Sequence, residues 1–201
     1  MKNAHLKLLD ELSLYLKNIP GIGEKNASKY AFWLAEHKDK ANSISKLLKE
    51  ISEKVKSCRL CYNLTANENG ICDICSDKSR DHETVCVVET IENLLEIETA
   101  NVYNGLYFIL GGVISPIYGI DSIIKRIDYL VSRILKEQKK ELILVISPTT
   151  EGELTMQYIK EKLKPSNIKI TKVAIGVPAG ADINYINKKT LIEAFKMRTV
   201  A

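Results

Sequence analysis

Four cysteines, arranged as two C-x-x-C pairs, constrain the fold of this 201-residue chain more than any other feature. The pairs are Cys58 with Cys61 and Cys72 with Cys75, and ten residues separate them. Two residues between cysteines give a tight knuckle that points both sulfurs at one centre. Two such knuckles can close a tetrahedral thiolate cage around a metal ion. The spacing therefore predicts a structural Zn²⁺ held by all four cysteines.

Two disulfides or a redox C-x-x-C motif are the alternatives. Disulfides need an oxidising compartment, and the chain starts with a charged amphipathic run in place of an export signal. A redox motif needs only one pair, near a βαβ unit. No apolar stretch approaches the roughly 18 residues of a membrane span, so we expect a cytoplasmic protein with no membrane segment. Cys86, within a β-branched run, is expected to be a small buried side chain.

Charge is segregated along the chain. Residues 1–57 carry 11 lysines and 7 acidic residues, which gives a net charge of +4. Residues 58–121 carry 3 basic and 10 acidic residues, net −7, and residues 122–201 carry 15 basic and 8 acidic residues, net +7. The pattern favours a polyanionic partner for the two ends. Lysine-rich helices that are merely well solvated would give the same counts.

A P-G-I-G sequence at positions 20–23 lies between two segments with helical apolar spacing, 6–16 and 24–34. This order is typical of the helix-hairpin-helix element that binds DNA. Gly21 and Gly23 leave room for a phosphate to approach the free backbone N–H groups of a helix N-terminus. A plain helical hairpin with a Pro-Gly turn is the alternative.

Lys25 and Lys29 are four residues apart, so they share a helix face and are predicted to contact the same nucleic-acid backbone. Contacts of this kind ignore base identity. Phe32 and Trp33 are expected in the core, and stacking on bases is the less favoured alternative. A third helix, at about 43–56, carries one apolar stripe and completes a bundle that is too small to be stable alone.

Strand and helix patterns alternate after the cysteines. Apolar runs at 85–89, 106–110, 142–146 and 168–175 predict strands. Helical spacing fills the gaps between them, so the fold is predicted to be α/β with a mostly parallel sheet. The predicted domains are a helix-hairpin-helix region at 1–56, a zinc knuckle at 57–77, an α/β domain at 78–173 and a C-terminal region at 174–201.

Glu89 follows the first of these strands, and a turn with the sequence S-P-T-T-E-G-E follows the third. An acid and an E-G-E turn at the carboxyl ends of parallel strands resemble the Toprim domain of topoisomerases and primases. Catalytic Toprim domains carry D-x-D-x-E-G, whose carboxylates hold Mg²⁺. Here Ser147 and Thr149 stand at the two aspartate positions, while Glu151 and Glu153 retain the E-G-E. Neutral hydroxyls give a poor cage for a hard dication.

A helix-hairpin-helix, a four-cysteine knuckle and a Toprim domain without its D-x-D, in this order, resemble the RecR family of bacterial recombination mediators. The resemblance extends to the segment 110–116 with Gly119 and Ile120, and to the segment 176–182. It implies a non-enzymatic clamp that oligomerises, as a tetrameric ring, around single- or double-stranded DNA without regard to sequence. It also implies that the clamp helps RecO and RecF to load RecA onto gapped or single-stranded DNA.

By this resemblance, Lys25 and Lys29 are DNA-binding positions, and Glu89, Glu151 and Glu153 are partner-binding positions. A Toprim-type metal-dependent nuclease or primase is the alternative, and it would need compensating carboxylates near Glu89, for which Glu92 and Glu153 are the nearby candidates in the sequence. A third possibility is a protein-docking module without a DNA role.

Overall fold

The structure, a computed structural model, describes residues 4–115, 120–174 and 176–199. Positions 116–119, within the loop of the family resemblance, and position 175, at the end of the fourth predicted strand, lie outside these residues. The chain divides into two units, Met1–Val55 and Lys56–Ala201. Among the described helices, none is long and apolar enough to cross a membrane.

The first unit contains three helices. They are α1 (Ala4–Lys17), α2 (Glu24–Glu36) and α3 (Lys38–Lys54). Helix α1 packs against α2, in which Ala27 and Ala31 are buried. Small side chains on one face of a helix allow its neighbour to approach closely. The single residue His37 separates α2 from α3.

The expectation that Phe32 and Trp33 lie in the core is wrong for this chain. Their side chains are 51% and 44% exposed, because Ala27 and Ala31 occupy the packing face of α2. The apolar stripe of α3 is exposed as well, and no residue of α3, which is described throughout, is buried. The exposed residues of that stripe are Ile44, Leu47, Leu48 and Ile51.

The second unit combines a short hairpin with an α/β sheet. Its strands are β1 (Lys56–Ser57), β2 (Leu64–Thr65), β3 (Asp81–Val88), β4 (Gly105–Ile109), β5 (Glu141–Val145) and β6 (Lys169–Lys172). Its helices are α4 (Asp73–Ser76), α5 (Ile91–Ala100), α6 (Ile120–Glu137), α7 (Thr150–Leu163) and α8 (Lys188–Lys196). Strands β3 to β6 form one parallel sheet in the order β4-β3-β5-β6, which confirms the predicted α/β class.

Alternate residues of the central strand β3 enter two different cores. Val85 and Val87 belong to a cluster with side chains of α6 and α7, whereas Cys86 and Val88 pack with Leu94 of α5 on the opposite face. The period of two in a strand produces this alternation. Both faces of the sheet are therefore covered. Because Cys86 is buried on one of these faces, the pKa of its thiol is raised to about 12.

Candidate functional site

The four cysteines of the two pairs come together in the second unit. The sulfurs of Cys58, Cys61, Cys72 and Cys75 all lie within 4.8 Å of one another, and all four residues are buried. Four converging sulfurs from two knuckles match the ligand set of a structural tetrahedral metal site. This cluster could hold a metal ion.

Local backbone geometry forms each knuckle. In the first, the hairpin of β1 and β2 places Cys58 and Cys61 in its turn, where the N–H of Tyr62 donates to the carbonyl of Cys58 at 3.0 Å. Tyr62 has a positive φ of 64°, which reverses the chain after the second cysteine. In the second knuckle, Cys72 precedes the short helix α4, whose first turn carries Cys75.

Hydrogen bonds to sulfur favour thiolates within the cluster. The N–H of Cys72 donates to Sγ of Cys58 at 3.3 Å, and the N–H of Asn63 donates to Sγ of Cys61 at 3.5 Å. The sulfurs of Cys61 and Cys72 are 3.5 Å apart, and this contact raises the pKa of the Cys61 thiol and lowers that of Cys72. Four thiolates within 4.8 Å of one another would repel each other, and a bound metal ion would supply the positive charge that offsets this repulsion.

The knuckle is hydrogen-bonded to helix α6 and to strand β4 through three successive carbonyl groups. Arg59 accepts from the hydroxyl of Tyr129 at 2.7 Å, and Leu60 accepts from the guanidinium of Arg133 at 2.7 Å. Cys61 accepts from the backbone N–H of Ile109, at the end of β4, at 2.9 Å. Because β4 is an edge strand, the knuckle covers part of an open sheet edge.

Tyr62 forms the apolar part of the same contact. Its ring meets Phe108 edge-on at 5.4 Å and Tyr129 at 5.8 Å between ring centroids, and the guanidinium carbon of Arg126 lies 4.4 Å from its centroid. Edge-to-face and cation–π geometry both add to simple burial. Sequence reasoning missed this residue, because nothing in the spacing of cysteines indicates which neighbouring side chain joins the sheet.

The P-G-I-G sequence forms a tight turn between α1 and α2. The N–H of Ile22 donates to the carbonyl of Ile19 at 3.1 Å, and Gly21 has a φ of 83° that favours glycine. Gly23 precedes α2 with a φ of −77°, and a Cβ there would meet nothing within 4 Å. The fold does not require glycine at position 23. A small residue at a helix N-terminus leaves the free N–H groups open to an anion.

Lys25 and Lys29 lie one helical turn apart on α2, and both are exposed. Neither forms an ion pair or a side-chain hydrogen bond with the residues that the structure describes, whereas Glu24 pairs with Lys17 at 3.3 Å. The two ammonium groups are therefore available on the same helix whose N-terminus carries Gly23.

The loops at the carboxyl end of the sheet bring Glu89 and the turn after β5 together. Glu89 directly follows β3, and its carboxylate accepts a hydrogen bond from the backbone N–H of Ser147. Thr149 caps the N-terminus of α7, and its hydroxyl accepts from the N–H of Gly152 at 3.0 Å. Ser147 and Thr149 thus take part in a helix-capping turn.

The two acids of the E-G-E turn, Glu151 and Glu153, do not form a metal site with Glu89 among the described residues. Glu153 lies 3.9 Å from the ammonium groups of Lys172 and Lys189, and Glu151 is exposed in the first turn of α7. In the described part of the chain, the four cysteines are the one group of at least three His, Cys, Asp or Glu side chains that could hold a metal. The glutamates form no such group there.

Comparison with known proteins places this architecture in a family. The model of the Toprim domain matches residues 83–174, which run from β3 to just beyond β6. The chain is 40% identical over 197 residues to the recombination protein RecR of Chloroherpeton thalassium, covering 96% of this chain and 94% of the relative. The chain belongs to the RecR family.

Two further relatives carry the same name. The recombination protein RecR of Lactobacillus acidophilus is 40% identical over 98% of this chain and 96% of its own length. That of Rubrobacter xylanophilus is 36% identical over 97% of this chain and 98% of its own length. The similarity to RecR proteins therefore extends over both structural units and not only over the Toprim domain.

In this RecR-family chain, the backbone around the E-G-E turn leaves no room for a side chain at Gly152. A Cβ at this position would lie 1.9 Å from the carbonyl oxygen of Ser147. Alanine favours a helix over glycine by about 1 kcal/mol, but the clash is with backbone that the Glu89 contact also holds. We expect Gly152→Ala to destabilise the protein by about 3 kcal/mol, which lowers the melting temperature by about 6–12 °C.

Thermal unfolding of Gly152→Ala beside Gly176→Ala tests this prediction. Gly176 is the matched control, because a Cβ there would meet nothing within 4 Å. A Gly152→Ala protein that melts at or above the wild-type temperature would show that helix propensity outweighs the clash.

Proposed function

We propose that this chain is a non-enzymatic DNA-binding clamp of recombinational DNA repair. In this proposal it helps RecO and RecF to load RecA onto gapped or single-stranded DNA. Membership of the RecR family supports the repair role, since the relatives are named recombination proteins. We place this role in the cytoplasm, where reducing conditions keep cysteine thiols free.

The observation that carries the DNA-binding part is the hairpin before α2. Gly21 and Gly23 leave the N-terminus of α2 uncovered, and Lys25 and Lys29 extend from the same helix into solvent without a partner among the described residues. Free N–H groups, the positive end of the helix dipole and two ammonium groups all favour phosphate. None of these groups reads bases, so binding is proposed to be independent of sequence, on single- and double-stranded DNA.

We propose that Cys58, Cys61, Cys72 and Cys75 hold a structural Zn²⁺. Four thiolates in a tetrahedron are one of the standard ligand sets of structural zinc, and such sites have no open coordination position. All four cysteines are buried, and they lie far in sequence from the P-G-I-G hairpin that is proposed to bind DNA. Both observations support a structural role for the metal ion. The zinc would stabilise the knuckle that covers the edge of β4.

We further propose that the Toprim domain has no catalytic role here. The two positions where catalytic Toprim domains carry aspartate hold Ser147 and Thr149, and both take part in the turn that starts α7. Glu89, Glu151 and Glu153 are proposed as contacts for protein partners. A metal-dependent nuclease or primase would need a convergent set of carboxylates, and no observation favours that function.

The clamp is proposed to be a closed ring of identical chains, with four as the expected number. The exposed apolar stripe of α3 supports self-association, because contiguous exposed apolar patches mark sites of protein–protein contact. Closed symmetry is the usual outcome for soluble homo-oligomers. A mass of one chain at micromolar concentration, both with and without DNA, would contradict the ring.

Incubation with gapped plasmid and primed single strands, in Mg²⁺ and in Mn²⁺, tests binding without chemistry. We expect the DNA to be retarded on a gel and then recovered unchanged after the protein is removed. Glu89→Ala is the matched variant, since it removes the acid that a Toprim enzyme would use. Cleavage, relaxation or primer extension that disappears in Glu89→Ala would contradict the proposal.

A further inference from the structure

Helix α2 carries an ordered row of side chains that extends beyond its two lysines. Lys25, Lys29, Trp33 and His37 follow one another at intervals of four residues, so neighbouring members of the row face each other on the helix surface. Trp33 is 44% exposed, and Phe32 beside it is 51% exposed. Large aromatic side chains on the exposed side of a helix, adjoining two free lysines, are not explained by the packing of this unit.

The indole of Trp33 is held in one orientation. Its ring stacks on the imidazole of His37 with 4.4 Å between centroids and 18° between planes, and Nδ1 of His37 lies 2.8 Å from the carbonyl oxygen of Trp33. Stacking on one face of an indole leaves the opposite face for another planar group. A ring that is already oriented loses little entropy when it stacks.

The indole of Trp33 lies in a groove that has aromatic walls and a charged residue at each end. Lys29, Tyr30, Phe32, Trp33 and Glu36 line an open groove of about 630 Å³. The ammonium group of Lys29 attracts phosphate at one end, and the carboxylate of Glu36 repels it at the other. The backbone of a single-stranded nucleic acid would therefore follow the lysines, and its bases would point toward the aromatic rings.

We propose that Trp33, with Phe32, is a stacking platform for unpaired bases of single-stranded DNA. This inference rests on the proposed DNA-binding function and adds a preference to it, since phosphate contacts alone do not distinguish strands. Every base has a π-face, so stacking on aromatic side chains is independent of sequence but requires a base that is free of its own stack. The edge of a gap or a single-stranded tract supplies such bases, and an intact duplex does not.

The chain contains a single tryptophan, so its intrinsic tryptophan fluorescence reports Trp33 alone. We expect saturating dT oligonucleotide to quench this emission, and a duplex of equal length to leave it nearly unchanged. Trp33→Leu keeps an apolar side chain and is expected to weaken binding of the single strand about tenfold, with duplex affinity unchanged. Tyr185→Ala is the matched control, because Tyr185 is an exposed aromatic residue outside the helical unit.

The outcomes separate this inference from the function on which it rests. Unchanged emission on saturation with the single strand, or equal affinities of Trp33→Leu and wild type, overturns the stacking platform while DNA binding stands. A change of emission on dilution of the DNA-free protein assigns the aromatic face to a second copy of the chain, and this also overturns it. Wild-type protein that binds no DNA contradicts the proposed function itself.

Discussion

Replacing Cys61 or Cys72 by serine is expected to abolish zinc binding and to unfold much of the second unit. Each residue belongs to a different knuckle, so either change opens the cluster of four sulfurs. Structural zinc sites contribute about 10–16 kcal/mol of apparent binding free energy at neutral pH, which is as large as the whole stability of a typical domain. The damage should extend into the sheet, because the carbonyl of Cys61 accepts from Ile109 of β4.

Metal analysis together with thermal unfolding checks this expectation. Wild type should contain about one zinc per chain, and Cys61→Ser and Cys72→Ser should contain little and should aggregate or melt well below wild type. Cys86→Ala is the matched control, since Cys86 is buried in the sheet outside the cluster and the variant should keep its zinc. Native protein without zinc, whose four cluster thiols react freely, would contradict the metal site.

Much of the fold could be predicted because its signals are local. The β-branched and apolar runs of β3, β4 and β5 lie where the sequence predicts strands, and the spacing of the cysteines correctly predicts that they converge. The parallel order of the sheet follows from alternation with helices. These features depend on residue types close together in sequence, and a single chain is sufficient to recognise them.

The errors and omissions arise where long-range packing decides. Aromatic character alone suggested a core position for Phe32 and Trp33, but the packing face of α2 is made of alanines. The docking of the knuckle through Tyr62 and Arg133 joins residues that are far apart in sequence, and the hydrogen bond from Arg133 to Leu60 spans 73 positions. No periodicity encodes such a contact.

Replacing both Lys25 and Lys29 by alanine is expected to weaken binding of all DNA sequences alike. Each lysine that binds a phosphate releases a counterion. The slope of log affinity against log salt concentration should therefore become shallower by about 1 for every lysine–phosphate pair that the substitution removes. Without these two charge-assisted hydrogen bonds, the affinity should be about tenfold lower or more. In a ring the two substitutions are repeated in every subunit, so the total effect should be larger still.

The most direct test of the account is a salt titration of labelled single-stranded and gapped DNA with wild type and the Lys25→Ala, Lys29→Ala double variant. Lys38→Ala, Lys40→Ala is the matched control, since it removes two exposed lysines of the same unit outside the hairpin. The account predicts lower affinity and a shallower salt slope for the hairpin variant alone, on every sequence. Equal affinities and slopes for wild type and the hairpin variant would contradict it.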